Sequence, residues 1–173
     1  MRLAIVLPLL FCLAGVAQAD PLEDLAKAQQ DTLDAWVKTP LTEQIVTFIK
    51  VPSPGYGIYE KRENNVFKQG ELMITYVEPI GYGWKELPGE MYEVSFVVDL
   101  LLKDDNGSVL VDKKAFSAIA FQTHNANMEL KLDLTLTPNG LPAGKYVLAY
   151  TIHDISADQT SSFEEPFEVA SGS

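Results

Sequence analysis

Few residues in this sequence have the types and spacing that catalysis requires. The chain of 173 residues has one cysteine, Cys12, and two histidines, His124 and His153, and it has no Gly-x-Ser-x-Gly motif. Nucleophilic catalysis needs a Ser, Cys or Thr side chain beside a base that a third group orients, and no such set is visible. We therefore expect no enzyme. A hydrolase that uses two carboxylates is the catalytic alternative.

The sharpest candidate for a metal site consists of His124, Met128 and His153. His124 and Met128 lie four residues apart, and imidazole with thioether ligands suits copper in an exported protein. Against this, Met128 has the parity of the buried face of its predicted strand, and His153 shares the wetter face of its strand with Thr151. We expect no cofactor, with copper on these three residues as the alternative. A calcium site over residues 104–108 lacks the distant glutamate of an EF-type loop.

Two loop-like segments combine large aromatic rings with glycines. They cover residues 54–59 (Pro-Gly-Tyr-Gly-Ile-Tyr) and 81–84 (Gly-Tyr-Gly-Trp). If both lie at one end of the fold, their rings form a binding platform, because Tyr and Trp give a large contact area at low entropic cost. The alternative is that these rings cover the end of the core. The predicted binding residues are Tyr56, Tyr59, Tyr82, Trp84 and Lys85.

Residues 1–19 have the layout of a secretory signal peptide. A positive start at Arg2 precedes an apolar stretch over residues 3–16, and Ala-Gln-Ala at 17–19 matches the small-x-small cleavage pattern. We expect cleavage before Asp20 and export to the periplasm, with the extracellular space as the alternative. The apolar run is shorter than the roughly 20 residues of a spanning helix, so the mature chain is expected to have no transmembrane segment.

The charge of the chain limits its partners. It has 13 basic and 24 acidic residues, a net charge of −11, and loss of Arg2 with the signal peptide would leave 12 minus 24, or −12. A field of this sign repels phosphate backbones, so no nucleic-acid partner is expected. The expected partner is another envelope protein, a peptide or a glycan, and a cationic one would be favoured. Cleavage would also remove Cys12, so the mature chain would have no disulfide.

The pattern changes from helical to alternating along the chain. Asp20 and Pro21 suit a helix start, apolar residues then follow at helical spacing, and Thr39-Pro40 ends the predicted helix. Alternating segments then predict seven or eight strands, at residues 45–51, 71–77, 92–102, 109–111, 116–122, 128–136, 145–153 and 162–169. Asn106-Gly107 is a hairpin signal. The predicted domains are a signal peptide (1–19), an N-terminal helix (20–39) and a β-sandwich (40–170), with a closed barrel as the alternative.

Two resemblances accompany this pattern. The segment Leu-Pro-Ala-Gly-Lys-Tyr at 141–146 resembles the turn before the penultimate strand of immunoglobulin-like and fibronectin-type-III-like domains, and residues 166–169 resemble their end. This resemblance implies an all-β, immunoglobulin-like sandwich in which the Tyr146 hydroxyl bonds the backbone upstream. Residues 67–71 and 76–83 are similar to segments of small exported proteins of Gram-negative bacteria, from which no activity can be transferred. The function expected is therefore a non-catalytic binding or protein-interaction module.

Overall fold

The computed structural model of the chain describes residues 20–171, so the predicted signal peptide at 1–19 lies outside the described residues. Apart from one N-terminal helix, the fold is all-β, as the sequence predicts. The helix is α1 (Pro21–Trp36), and the strands are β1 (Thr42–Phe48), β2 (Val66–Phe67), β3 (Met73–Ile80), β4 (Lys85–Leu87), β5 (Met91–Asp104), β6 (Val109–Thr123), β7 (Leu132–Leu136), β8 (Gly144–Asp154) and β9 (Gln159–Val169). Two short strands, β2 and β4, raise the count above the predicted seven or eight.

Helix α1 begins where the sequence predicts. The Asp20 carboxyl accepts a hydrogen bond of 3.0 Å from the backbone N–H of Leu22, which satisfies one free donor of the first turn. No side chain of α1 is buried, and Leu22 and Leu25 are 72% and 55% exposed. The chain divides into two compact units after Leu33, so the last turn, with Trp36, belongs to the β unit. No helix in residues 20–171 is long and apolar enough to cross a membrane.

The strands form two sheets whose inner faces share one core. The first sheet has the order β1-β3-β7. The second has the order β2-β9-β8-β5-β4, and β6 also pairs with β5. Both sheets contribute to the main apolar cluster, which includes Met73, Val77, Leu132, Leu134, Val94, Phe96, Leu148, Ile152 and Phe167. Among the described strands, none of the first sheet pairs with one of the second, so a closed barrel does not fit. Two facing sheets are compatible with a β-sandwich.

The strand predicted over residues 128–136 is shorter than expected. Strand β7 begins only at Leu132, which pairs with Val77 of β3, and β3 has no pairing with residues before it. Just upstream, the Asn127 side chain accepts a 2.8 Å hydrogen bond from the Glu129 backbone N–H, a local turn that competes with strand pairing. Met128 is therefore half-buried outside the strand. The alternation of apolar and polar residues extends over residues 128–131, although these residues have no partner strand.

Two separately predicted strands, 109–111 and 116–122, join into the long edge strand β6. The pairing with β5 shifts between Lys113 and Ser117, and the intervening Ala115 has a positive φ of 48°. The Asp99 carboxyl of β5 accepts hydrogen bonds from the Ala115 N–H at 2.8 Å and contacts Lys114 Nζ at 3.1 Å. The backbone N–H of Ala115 lowers the pKa of Asp99 to about 2, with His153 and Lys114 contributing. A β-bulge therefore interrupts the free edge of β6.

Two predicted turn features are present. Gly107, with a φ of 82°, turns the chain between β5 and β6, and the Asp104 carboxyl closes that turn by accepting a 2.9 Å bond from the Asn106 N–H. The Tyr146 hydroxyl donates a 2.9 Å hydrogen bond to the Pro142 carbonyl, as the resemblance implies. The immunoglobulin-like type of the fold itself stays a prediction.

Strand β3 is buried on both of its faces. Met73 and Val77 point into the main core, whereas Ile74 and Tyr76 belong to a second apolar cluster on the outer face of the three-stranded sheet. The chain after β1 supplies Ile49 to that cluster, and the Tyr59 ring packs against it at a centroid distance of 4.3 Å from Tyr76. The loop that carries the first predicted aromatic segment is thus packed onto this outer face.

Candidate functional site

The first aromatic segment lies on a loop that is closed at its base by backbone hydrogen bonds. We call residues 50–61 the tyrosine loop. The Lys50 N–H donates to the Glu60 carbonyl at 2.8 Å, and Ile49 forms a β-bridge with Lys61. Lys50 and Glu60 also form a salt bridge of 2.7 Å. The two ends of the loop are therefore held side by side next to the end of β1.

Ser53 holds the middle of the tyrosine loop. Its hydroxyl lies 2.7 Å from the Gly55 carbonyl oxygen and 2.9 Å from the Ile58 carbonyl oxygen, so it ties the two arms of the turn together. Its backbone N–H donates to the Asp133 carboxyl at 2.9 Å, and Lys131 Nζ donates to its carbonyl oxygen at 2.9 Å. Both partners come from the segment at and before β7, so the loop is fixed to the three-stranded sheet.

A buried carboxyl group on β3 holds the tip of the loop. Glu78, which is 5% exposed, accepts hydrogen bonds from the Tyr76 hydroxyl at 2.5 Å and from the Gly57 N–H at 3.2 Å. The Tyr56 hydroxyl is close enough to Glu78 to be affected by it: burial first, and then the charges of Glu78 and Glu129, raise the pKa of Tyr56. Tyr56 and Tyr59 are both half-buried, and the Tyr59 ring packs on Tyr76.

Besides the charged side chains of Lys50, Glu60 and Lys61 at its base, the tyrosine loop exposes two large aliphatic side chains. Val51 is 55% exposed and Ile58 is 60% exposed. An exposed aliphatic side chain alone needs no explanation, but this loop is hydrogen-bonded along its length and packed on a buried face. A rigid loop that presents aliphatic side chains loses little entropy when it is covered by a partner.

The second aromatic segment is mostly internal. Tyr82 is 1% exposed, and its ring makes edge contacts with Trp36 at 5.0 Å and with Phe96 of the core at 5.6 Å. Trp36 also stacks on half-buried Trp84 at 5.8 Å. The Tyr82 hydroxyl and the Trp84 Nε1–H both donate to the Asn127 carbonyl, at 2.8 and 3.0 Å. In this segment the rings close one part of the core, and Tyr82 offers no surface to a partner.

The glycines of this segment have steric reasons to be there. Gly81 has a φ of 73°, and a Cβ at this position would lie 2.5 Å from the Pro40 carbonyl oxygen. A Cβ on Gly83 would lie 2.4 Å from the Cβ of Ala157. These close approaches explain why glycines alternate with rings, and the explanation is one of packing.

The two aromatic segments lie near one another, although they do not form an open platform. The charge of Glu129 contributes to raising the pKa of both Tyr56 and Tyr82, after burial in each case, and Tyr56 itself affects Tyr82. Lys85 is exposed on β4, opposite Glu93 of β5. Of the five predicted binding residues, Tyr82 lies inside, Tyr56, Tyr59 and Trp84 are half-buried, and Lys85 is at the surface.

The three candidate copper ligands are not gathered at one point. His124 and Met128 line the same surface hollow, formed by residues 123–129. His153 lies on β8, where its ring contacts Asp99 Oδ2 at 3.1 Å. Strand β5 gives the distance between the two places: His153 pairs with Val97 of β5, whereas Thr123, the residue before His124, pairs with Tyr92. Val97 and Tyr92 are five residues apart, or about 17 Å along the strand. Within residues 20–171, no group of three or more His, Cys, Asp or Glu side chains is arranged to hold a metal.

Sequence reasoning missed three buried acids, Glu78, Asp154 and Glu165. Glu165 is 8% exposed on β9, and its Oε2 has no hydrogen-bond partner. Burial raises the pKa of Glu165 to about 7. A signal was available, because Glu165 has the same strand parity as Phe167 and Val169, and Glu78 has the parity of Tyr76. An acidic residue in register with core residues either has a buried partner or marks a site.

Comparison with known proteins does not identify the chain. No protein-family model matches the sequence, and no curated protein matches it. Function must therefore be argued from the site itself.

Proposed function

We propose that this protein is an exported, non-catalytic interaction module that contacts another envelope protein through the tyrosine loop. The observation that carries the proposal is the exposure of Val51 and Ile58, at 55% and 60%, on a loop fixed by Ser53 and Glu78. Because the loop is already ordered, the free energy gained when a partner covers its apolar side chains is not reduced by an entropic cost of ordering the loop.

The chemistry of the exposed groups favours a protein or peptide partner over a glycan. Sugar rings are bound by stacking on open aromatic faces, whereas the Tyr59 ring already lies 4.3 Å from Tyr76 and Tyr56 is half-buried beside Glu78. Aliphatic side chains such as Val51 and Ile58 gain free energy when a partner removes them from water. A glycan, with its dense hydroxyl groups, cannot supply an equally apolar cover.

Charge and targeting support the same proposal. The net charge of −11 is unfavourable for nucleic-acid binding and favours a neutral or basic protein surface. The signal-peptide pattern of residues 1–19 supports export to the periplasm, where such a partner would be met. The Lys50–Glu60 and Lys61 side chains around the loop would form a polar rim.

The experiment is capture of envelope proteins by the purified chain, with matched surface variants. Val51→Ser/Ile58→Ser removes the aliphatic side chains of the tyrosine loop. Val109→Ser/Leu110→Ser removes two side chains of similar exposure, 54% and 47%, from the β5–β6 hairpin. We expect at least a tenfold loss of the captured partner with the first variant and none with the second. Equal capture by both variants would rule out the tyrosine loop as the contact surface.

A further inference from the structure

A groove lies between the free edges of β1 and β9. Among the described strands, β1 pairs only with β3, and β9 pairs with β8 along its length but with β2 only at Glu168 and Val169. Near the start of β1 the two edges are joined by a 3.0 Å bond from the Ser161 hydroxyl to the Glu43 carboxyl. Further along, between Phe48 and Glu165, they enclose a groove of about 440 Å³. This volume is within the range of ligand sites in proteins.

The groove contains an unpaired acid. Glu165 lines the groove and is only 8% exposed. Its Oε2 atom has no hydrogen-bond partner among the described residues. The hydroxyl groups of Thr75 and Tyr150 lie near Glu165, close enough for Thr75 to lower the pKa that burial raises, but within the described residues neither hydroxyl has a hydrogen-bond partner. Leaving a buried acceptor unpaired costs free energy, so this arrangement favours a ligand that brings a donor.

The nearest arginine does not neutralise this acid. Arg62 also lines the groove, but its guanidinium donates to the Glu71 carboxyl at 2.7 Å and to the Val66 carbonyl at 2.9 Å. The same group lies over the Phe67 ring at 4.1 Å. Arg62 therefore forms one wall of the groove, and its ion pair is with Glu71 and not with Glu165.

The edge of β1 offers the groove open backbone groups. Along an antiparallel strand, residues alternate between bonding the partner strand and directing their backbone groups away from it. The Ile49 N–H donates to the Ile74 carbonyl, so Thr47 also bonds β3. Val46 and Phe48 therefore direct their backbone groups away from β3. The Phe48 carbonyl is taken by the Arg62 N–H at 2.9 Å. The N–H and C=O of Val46, which lines the groove, therefore face it. Such a pair is what an extended peptide uses when it adds to a sheet edge.

We propose that this groove binds an extended, basic peptide segment of a partner protein, with a lysine side chain paired to Glu165 and the peptide backbone bonded to Val46. An acidic carboxyl group in the groove and a net charge of −11 on the chain favour a cationic segment. Apart from Lys61 at the base of the tyrosine loop, no residue of that loop lines the groove, and Val51 and Ile58 are not part of it, so the proposal can be tested independently of the proposed function.

The pairing makes binding depend on pH. Burial raises the pKa of Glu165 to about 7, so near neutrality part of the population carries a proton that a lysine ammonium must displace. The groups facing it are the hydroxyls of Thr75 and Tyr150, and the charged residues Lys61, Arg62, Glu63 and Glu164 line the same groove. Affinity for the basic segment is therefore expected to rise as the pH increases from 6 to 8.

The test is fluorescence anisotropy of the full mature chain with a fluorescein-labelled pentapeptide, Thr-Val-Lys-Val-Thr. The same peptide with acetyl-lysine is the ligand control. Glu165→Gln is the site variant, and Glu168→Gln is its matched control, since Glu168 is an exposed acid on the same strand that does not line the groove. We expect acetylation and Glu165→Gln each to weaken binding at pH 8 about tenfold, and Glu168→Gln to leave it unchanged.

Several results would overturn the proposal. They are absence of saturable binding, equal affinity for the acetylated peptide, and equal loss from both glutamate variants. Binding of Nα-acetyl-lysine methylamide as tight as that of the peptide would assign the site to a free amine and refute an extended segment. Circular dichroism of Glu165→Gln confirms that the fold is retained, and a shift of the Val46 amide resonance on titration would support the predicted backbone contact.

Discussion

The Tyr76 hydroxyl donates a 2.5 Å hydrogen bond to the carboxyl group of Glu78, two residues further along the same face of β3. The Gly57 N–H is bonded to both, at 2.8 Å to the Tyr76 oxygen and 3.2 Å to Glu78. This three-centre contact is the point at which the outer face of the sheet fixes the tip of the tyrosine loop. The stiffness on which the proposed function depends therefore originates in a buried polar pair.

Removing the Glu78 carboxyl should loosen the loop. In Glu78→Ala, the Tyr76 hydroxyl loses its acceptor and the Gly57 N–H loses the longer of its two hydrogen bonds, which should cost about 1–3 kcal/mol of unfolding free energy. Hydrogen exchange of the amides at 55–58 should become at least tenfold faster. Glu60→Ala is the control, because its exposed salt bridge with Lys50 contributes little. Unchanged exchange at 55–58 in Glu78→Ala would mean that the loop is held by other contacts.

Filling the space at Gly83 should destabilise the fold in a way that a second change reverses. A Cβ at Gly83 would lie 2.4 Å from the Ala157 Cβ, so Gly83→Ala should cost about 1–3 kcal/mol through overpacking. Gly83→Ala/Ala157→Gly removes the clash and should recover most of that loss. Urea denaturation of the two single variants and the double variant measures the coupling. Additive effects would show that Ala157 is not the obstacle.

Glu165 should make the fold less stable at alkaline pH. Its pKa is raised by burial to about 7, against about 4.3 in the unfolded chain. Between these values the native state keeps a proton that the unfolded state has lost, so stability falls as the pH rises through this window and stays reduced above it. Glu165→Gln should therefore gain up to about 3 kcal/mol relative to wild type on going from pH 4 to pH 8. A constant difference across that range would contradict the buried, protonated acid.

Asp99 should contribute stability that is lost in acid. Its pKa is lowered to about 2, mainly by the Ala115 N–H, so its stabilising effect is present above the unfolded value of about 3.9 and disappears as the pH falls through 2. Asp99→Asn should cost about 1–2 kcal/mol at pH 6. The cost should shrink as the pH is lowered from 4 to 2, as measured by thermal unfolding. An equal cost at pH 6 and pH 2 would exclude a charged role.

The bulge itself can be tested at Ala115. This residue has a φ of 48°, which is unfavourable for a residue with a Cβ. Ala115→Gly should therefore raise the unfolding free energy by about 0.5–1 kcal/mol, opposite to the usual effect of glycine in a strand. Ala118→Gly, in the regular part of β6 opposite Val97, is the control and should be destabilising. A loss of stability at both positions would place Ala115 in ordinary strand geometry.

The alternation of apolar and polar residues predicted the strands well where one face of the strand is buried and the other is exposed to solvent. Strands β5 and β8 follow this rule closely, with Val94, Phe96 and Val98 buried and their neighbours half-buried. The rule failed for residues 128–131, because alternation does not reveal where the partner strand ends. It also did not show that β3 is covered on both faces, since that cover comes from a loop distant in sequence.

The binding residues were predictable in type but not in exposure. The sequence identified Tyr56 and Tyr82 as unusual, and both lie within reach of Glu129 in the structure. It could not show that Tyr82 would be buried by Trp36, a contact across 46 residues, or that Val51 and Ile58 would be the exposed large hydrophobic residues of the loop. Burial depends on long-range packing, which a local pattern does not encode.

The proposed function depends on the tyrosine loop being the surface that contacts a protein partner. A photo-crosslinking amino acid placed at position 58 in living cells tests this contact, with position 110 as the control of comparable exposure. We expect a discrete crosslinked adduct to one envelope protein from position 58, lost when Glu78→Ala is added, and no such adduct from position 110. No adduct from position 58, or the same adduct from both positions, would rule out the tyrosine loop as the contact surface.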